Sequence, residues 1–327
     1  MSDTKTHVGF LGVGSYAPER IVTNDDFAKT LDTSDEWIFS RTGIRERRFA
    51  RDDEFTSDMG AAAARKALAD AGLTVNDVDY VLVGTATPDN MFPSTAGWVT
   101  KLLGITDVGA LDVSTACTGF IYVCEIASAL IESGKYERIL CIGADKLSTI
   151  ANMKDRATCV LFGDAAGAAV IGKGGHRIVN SRCTCDFNYE ALYLPAGGAR
   201  MPVNHEVIER GDQYIHMNGR EVYRFVVDKF VELTKECLER AKLKPADIAL
   251  YIPHQANRVM LEFAVQKAGI STDKLFLNID RYGNTSSASI PVALDEARQQ
   301  GRIRPGDNVL LMGFGGGLSS GYMLLQW

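Results

Sequence analysis

Short, largely apolar runs alternate along the chain with amphipathic stretches. Val8–Val13, Val78–Gly84, Gly109–Val113 and Ile139–Gly143 have the length and composition of buried strands. Between them, Asp58–Ala71 and Phe120–Glu132 place apolar residues at helical spacing. Strand and helix in steady alternation imply an α/β architecture with largely parallel strands.

The alternation also repeats. ALADAGLTVNDVDYVLV at Ala67–Val83 aligns without a gap to CLERAKLKPADIALYIP at Cys237–Pro253, so that Leu68 meets Leu238, Ala71 meets Ala241 and Asp77 meets Asp247, a constant offset of 170. Each segment reads as a helix, a turn with a capping Asp, and a strand. Cys117 and Asn284 both follow strand-like runs, and the helices after them end at Gly134 and Gly301, both pairs 167 apart. Gly143 and Gly313 return to 170. The expected organisation is two duplicated α/β halves, 1–175 and 176–327, with Arg182–Gly211 an irregular insertion in the second.

Composition excludes several classes. Hydrophobic residues are 46% and charged residues 23%, the balance of a globular chain and not of a disordered one. No apolar run approaches the ~18 residues of a membrane span. The first residues lead into Val8–Val13, too short for an export signal, with Pro18 beyond, so the expected location is the cytoplasm. Net charge is −6, which argues against a nucleic-acid partner. Seven cysteines without a Cys-x-x-Cys pair suggest neither a disulfide framework nor a zinc site, and no metal is expected. The run Arg41, Arg45, Arg47, Arg48, Arg51 is a local basic exception, equally a solvated face or a patch for a phosphate or an acidic partner.

Cys117 stands out among the cysteines by its setting. It follows a strand-like run, sits among small neighbours (Ala116, Thr118, Gly119) and precedes an apolar helix, where free N–H groups and the helix dipole favour thiolate. The small neighbours would let a substrate approach the sulfur. His254 directly follows another buried-type strand, a position where crevice sites form in α/β folds. Asn284, paired with Cys117 by the repeat, would share one cavity with it if a twofold axis relates the halves. The glycines Gly313 and Gly315–Gly317 would let a backbone N–H face an oxyanion. Gly12-Val-Gly-Ser-Tyr-Ala17 fits a dinucleotide fingerprint formally, but Pro18 follows at once in place of a helix.

With these residues in view the sequence resembles the β-ketoacyl-acyl-carrier-protein synthase III family, the initiating condensing enzymes of bacterial fatty-acid synthesis. The resemblance spans nearly the whole chain. It is carried by Thr33-Ser-Asp-Glu-Trp-Ile, Arg41-Thr-Gly-Ile-Arg-Glu-Arg, Ala116-Cys-Thr-Gly-Phe, Phe162-Gly-Asp-Ala-Ala-Gly-Ala, His254-Gln-Ala-Asn, Gly283-Asn-Thr-Ser and Phe314-Gly-Gly-Gly. It implies a thiolase-like fold of five αβαβα layers, a homodimer, and a decarboxylating condensation needing no cofactor beyond its coenzyme A thioester substrate. Cys117 would take the acyl group from an acyl-CoA, with acetyl-CoA the expected primer. Its N–H and that of Gly316 would form the oxyanion hole. His254 and Asn284 would then bond the thioester oxygen of malonyl-acyl-carrier protein as CO₂ leaves.

The resemblance further implies coenzyme A contacts at Thr33, Trp37, Arg41, Arg156 and Asn257, with Trp37 and Arg156 sandwiching the adenine. Phe92, Phe162 and Phe314 would shape the acyl pocket, Phe92 by crossing to the partner's site. The family's carrier-docking Arg stands two residues after the Asn of His-Gln-Ala-Asn. Here Arg258 comes one residue early, a rotation of about 100° on a helix. Three rivals remain: a papain-like hydrolase with the same Cys, His, Asn order, a related acyltransferase or condensing enzyme of secondary metabolism, and an idle dimeric scaffold. Missing Cys-Gly-Ser-Cys and the internal repeat weigh against the first.

Overall fold

The computed structural model describes residues 7–327. The first six residues, for which no export signal is expected, lie outside them. Nine strands form one mixed sheet in the order β11-β12-β13-β8-β1-β7-β6-β4-β5. They are β1 (Val8–Tyr16), β4 (Tyr80–Gly84), β5 (Gly109–Val113), β6 (Arg138–Lys146), β7 (Asp164–Lys173), β8 (His176–Cys185), β11 (Ile248–Pro253), β12 (Asn308–Gly315) and β13 (Ser319–Gln326). Short pairs β2 (Arg20–Thr23) with β3 (Glu46–Phe49), and β9 (Leu192–Tyr193) with β10 (His216–Met217), lie outside it.

The sheet narrows at its middle, where β1 and β8 share only the pairs Gly9–Arg177 and Phe10–His176. On either side the pairing pattern is the same. In β4-β6-β7-β1 and in β11-β12-β13-β8 the first pair is parallel and the next two are antiparallel. Helices α5 (Gly119–Glu132) and α10 (Ser289–Gln299) lie between the two parts. Outside the first part pack α3 (Thr56–Asp70) and α4 (Thr95–Leu103); outside the second pack α7 (Gly219–Ala241) and α8 (Arg258–Lys267). These are the five layers of a thiolase-like fold.

Position in the layers explains helix composition. α5 touches both parts of the sheet, so Phe120, Ile121, Val123, Cys124 and Ala127 are all fully buried and the helix is apolar around most of its girth. Each such Phe or Ile contributes ~1.5–3 kcal/mol of burial. α3 is instead alanine-rich because it lies close against β1. A Cβ on Gly12 or Gly14 would come within 2.5 Å of the α3 backbone at Ala67. Both glycines therefore sit inside a strand to admit a helix, which accounts for the dinucleotide-like spacing without a dinucleotide.

The expectation of largely parallel strands is corrected, since five of the eight strand pairings in the large sheet are antiparallel; the elements themselves differ from expectation mainly at their ends. The insertion begins later than Arg182, because Arg182–Cys185 complete β8 against β13. Beyond it, 186–218 folds over one end of the sheet with β9, β10 and the short α6 (His205–Arg210). Helices α1 (Asn24–Ala28), α2 (Asp35–Thr42) and α9 (Ile279–Tyr282) surround the antiparallel β2–β3 pair beside the same end. The arginine run is not one surface: Arg47 is fully buried, and Arg45, Arg48 and Arg51 pair with Asp35, Glu46 and Asp53.

Candidate active site

A cavity of about 520 Å³ opens where β5, β11 and β12 end. Cys117, His254 and Asn284 all line it, with Gly316, Asn257, Phe162 and Phe314. Apolar side chains from the 186–218 segment, Tyr189, Leu192, Leu194, Ile215 and Met217, form much of the remaining wall.

Cys117 sits in a single 3₁₀ turn, Ala116–Thr118, between β5 and α5. Ala116 has φ +47°, a left-handed conformation costing ~1–3 kcal/mol in a residue other than glycine. The turn is held by Thr118 Oγ1, 2.6 Å from the Thr115 carbonyl and 2.8 Å from Ser319 Oγ. Gly119 does not open a path to the sulfur. Its α-carbon faces Gly84 and Ser287, so its small size serves the docking of α5 on β4. Neither the Cys117 nor the Gly316 N–H donates to a backbone carbonyl among the described residues.

The thiol is not poised as a thiolate. Burial pushes it up to about 12; Asp145 adds to the rise, and the Ser286 hydroxyl and the residue's own N–H pull it back. Burial is the largest influence on the thiol. Burial likewise takes His254 down to about 3, so its imidazole is neutral at neutral pH. The His254 N–H bonds the Met312 carbonyl at 2.7 Å, and Nδ1 lies 2.6 Å from Ser289 Oγ.

Asn284 is placed by its backbone. Its N–H donates to the Leu161 carbonyl at 2.8 Å and its carbonyl accepts from Gly163 at 2.9 Å, a parallel bridge around Phe162. Its Oδ1 accepts the Ser286 N–H at 2.9 Å, which turns Nδ2, a donor only, toward the cavity. The counterpart of Cys117 in the second half is not Asn284 but Ser287. Turn Ser286–Ala288 matches Ala116–Thr118, Ser286 at φ +50° matches Ala116, and α10 starts 170 residues after α5. The offset of 167 arose because α10 has 11 residues against 14 in α5, so the shortening lies at the helix end.

The other expected residues divide into two groups. Trp37 is stacked between Arg41 and Arg156, whose guanidinium carbons lie 4.5 and 4.6 Å from its centroid. Arg156 also bonds the Asp32 carbonyl, so both arginines already occupy the ring expected to meet an adenine. Thr33 is half-buried nearby with an unpartnered hydroxyl. Asn257 spends both side-chain groups on structure, capping α8 through the Met260 N–H and donating to the Arg41 carbonyl at 2.8 Å. Phe92 is 87% exposed and away from the cavity of its own chain. Arg258 is bound to Glu262 at 2.7 Å.

Sequence reasoning missed Asp145, Ser286, Ser287 and Ser289. Asp145 is fully buried and accepts from Thr85, Ala86, Thr87 and Ser287, tying the Asn284 loop to the ends of β4 and β6. An acid closing the apolar run of β6, and four serines and threonines after Asn284, were the available signals.

Family models for 3-oxoacyl-[acyl-carrier-protein (ACP)] synthase III match residues 111–186, and for its C-terminal part residues 238–327. A β-ketoacyl-[acyl-carrier-protein] synthase III of Caldanaerobacter subterraneus subsp. tengcongensis is 48% identical over 99% of this chain and 98% of its own. The chain belongs to the β-ketoacyl-[acyl-carrier-protein] synthase III family. Membership makes it a condensing acyltransferase of thiolase-like fold. The family's enzyme from Thermus thermophilus superposes with a TM-score of 0.90 at 43% identity, covering 98% of this chain and 99% of that one. The priming β-ketosynthase of the R1128 polyketide pathway also reaches 0.90, at 34% identity, over 98% and 96%.

Proposed function

We propose that the chain catalyses the initiating condensation of fatty-acid synthesis, joining an acyl-CoA to malonyl-acyl-carrier protein with release of CoA and CO₂. The observation that carries this reading is the meeting of Cys117, His254 and Asn284 in one apolar cavity, which Gly316 also lines, with the N–H groups of Cys117 and Gly316 not spent on backbone carbonyls. In the first step the Cys117 sulfur attacks the thioester carbon. The oxyanion is bonded by the N–H groups of Cys117 and Gly316, and the thiol proton ends on the departing CoA sulfur. In the second step the malonyl thioester oxygen receives the Asn284 and His254 donors, which stabilise the enolate left by CO₂. The enolate carbon attacks acyl-Cys117, the Cys117 sulfur leaves, and it takes a proton from solvent.

No metal or redox group is required in this sequence, because thioester oxygens hold the charge at both steps. Coenzyme A would lie along Trp37, Arg41 and Arg156 and reach the sulfur past Asn257. Phe162, Phe314 and the 186–218 side chains would hold the acyl group. Exposed Met91 and Phe92, 77% and 87% accessible, support a homodimer in which Phe92 reaches the partner. For the carrier, Arg258 is engaged by Glu262, whereas Arg220 and Arg224 have no acidic partner among the described residues. They flank exposed Tyr223 and Phe263 on α7 and α8, next to cavity residues Gly219 and Tyr223. That patch suits an acidic carrier better than Arg258 alone. We further propose a duplication, with its boundary in the Gly174–Gly175 turn between β7 and β8, and a cytoplasmic location.

Intact-protein mass spectrometry tests the reading. Acetyl-CoA alone should add one acetyl group to the wild type and none to Cys117→Ala; an adduct on the variant refutes the nucleophile. His254→Ala and Asn284→Ala should keep acylation and lose decarboxylation.

A further inference from the structure

The imidazole of His254 can donate from Nε2 only if its single proton sits there and not on Nδ1. Nε2 is left to the cavity, whereas Nδ1 meets Ser289 Oγ at 2.6 Å, from the first residue of α10. Two arrangements satisfy that distance: the hydroxyl donates to Nδ1, or Nδ1–H donates to the hydroxyl.

The surroundings of Ser289 decide between them. Its side chain is 2% exposed, so solvent does not serve its proton. The other group at its oxygen is the Gln255 backbone N–H at 3.4 Å, itself a donor. Among the described residues, Nδ1 is therefore the only acceptor the Ser289 proton has. With the proton on Nδ1, both groups at the hydroxyl oxygen would be donors and its own hydrogen would be buried unpaired. With the proton on Nε2, the hydroxyl proton and Nδ1 satisfy each other, and Nε2–H is left to the cavity.

We propose that Ser289 is a positioning residue that holds His254 as the Nε2–H tautomer, making it an obligatory hydrogen-bond donor to the malonyl thioester oxygen. The inference rests on the decarboxylation role assigned to His254 above. It extends a common device to both polar groups of the site. The Ser286 N–H takes the only acceptor of the Asn284 side chain and leaves Nδ2, and the Ser289 O–H takes the only acceptor of His254 and leaves Nε2–H. Two donors then face one oxygen. A low His254 pKa agrees with this arrangement, since a neutral ring keeps its tautomer across the working range.

Nuclear magnetic resonance on full-length protein with ¹⁵N-labelled histidine reads the tautomer directly. His254→Ala identifies the His254 signals among the five histidines. At pH 7 the wild type should show a protonated, pyrrole-like Nε2 and a pyridine-like Nδ1. In Ser289→Ala a second, Nδ1-protonated population should appear. CO₂ release from malonyl-carrier protein should fall about tenfold, the loss of roughly one hydrogen bond, while acylation of Cys117 stays unchanged. A wild-type ring protonated at Nδ1 overturns the proposal, whether or not the variant folds. So does a Ser289→Ala enzyme releasing CO₂ within twofold of wild type. If instead His254→Ala itself releases CO₂ normally, the assigned role of His254 has failed, and not merely its positioning.

Discussion

Asn284→Asp isolates one donor with little disturbance of the fold. The new side chain has the same shape, keeps an oxygen for the Ser286 N–H, and leaves the backbone bridge to Leu161 and Gly163 untouched. What changes is the group facing the cavity, where an NH₂ donor becomes an acceptor carrying negative charge. Losing one donor to a developing oxyanion costs roughly 2.7–4 kcal/mol, about 10²–10³ in rate. Repulsion from the enolate oxygen deepens the loss. The assay is release of ¹⁴CO₂ from labelled malonyl-carrier protein, with Cys117 acylation followed separately by mass. Residue 284 is buried, so desolvation holds an Asp carboxyl there above its usual ~3.9. A protonated carboxyl again carries an O–H donor, so part of the decarboxylation returns as pH falls toward that raised value. CO₂ release within tenfold of wild type at pH 7 would refute the donor role of Asn284 outright.

Three further outcomes follow from the geometry. Because burial pushes the Cys117 thiol to about 12, its thiolate fraction rises through the whole working range; alkylation by iodoacetamide should climb about tenfold per pH unit from 7 to 10, and a plateau near pH 8 would contradict that. Arg47→Met should lower stability by about 3 kcal/mol or more, seen as a reduced denaturation midpoint, since it strips buried Val22, Asn24 and Val160 oxygens of their donor. Arg220→Glu with Arg224→Glu should raise the KM for malonyl-carrier protein at least about tenfold while leaving acylation by acyl-CoA intact; equal effects on both substrates would exclude the α7–α8 patch as the carrier's dock.

Most strands and helices were legible because their burial is written in periodicity. Gly109–Val113 is a strand over the same residues as expected, and Phe120–Glu132 gained only Gly119. Misreadings came where a residue's neighbour is remote in sequence. Gly12 and Gly14 imitate a nucleotide loop until α3 is seen packed against them. Arg47 looked like its exposed neighbours, yet alternation along β3 turns it inward onto carbonyls from β2 and the loop before β7. Gly119, read as room for substrate, is room for β4.

The chain itself determined the layered α/β fold and the family, and it nominated the three side chains proposed to do the chemistry, because those readings depend on residue type and local order. Tertiary structure alone decided their state. Folding strands from both halves to one rim brings Cys117, His254 and Asn284 together and removes them from water, and desolvation then pushes the Cys117 thiol up and the His254 imidazole down. It also supplies Ser286 and Ser289, which engage Asn284 Oδ1 and His254 Nδ1 and leave the other side-chain nitrogen of each to the cavity. Sequence can nominate a donor; only the surrounding hydrogen bonds set which end of it donates.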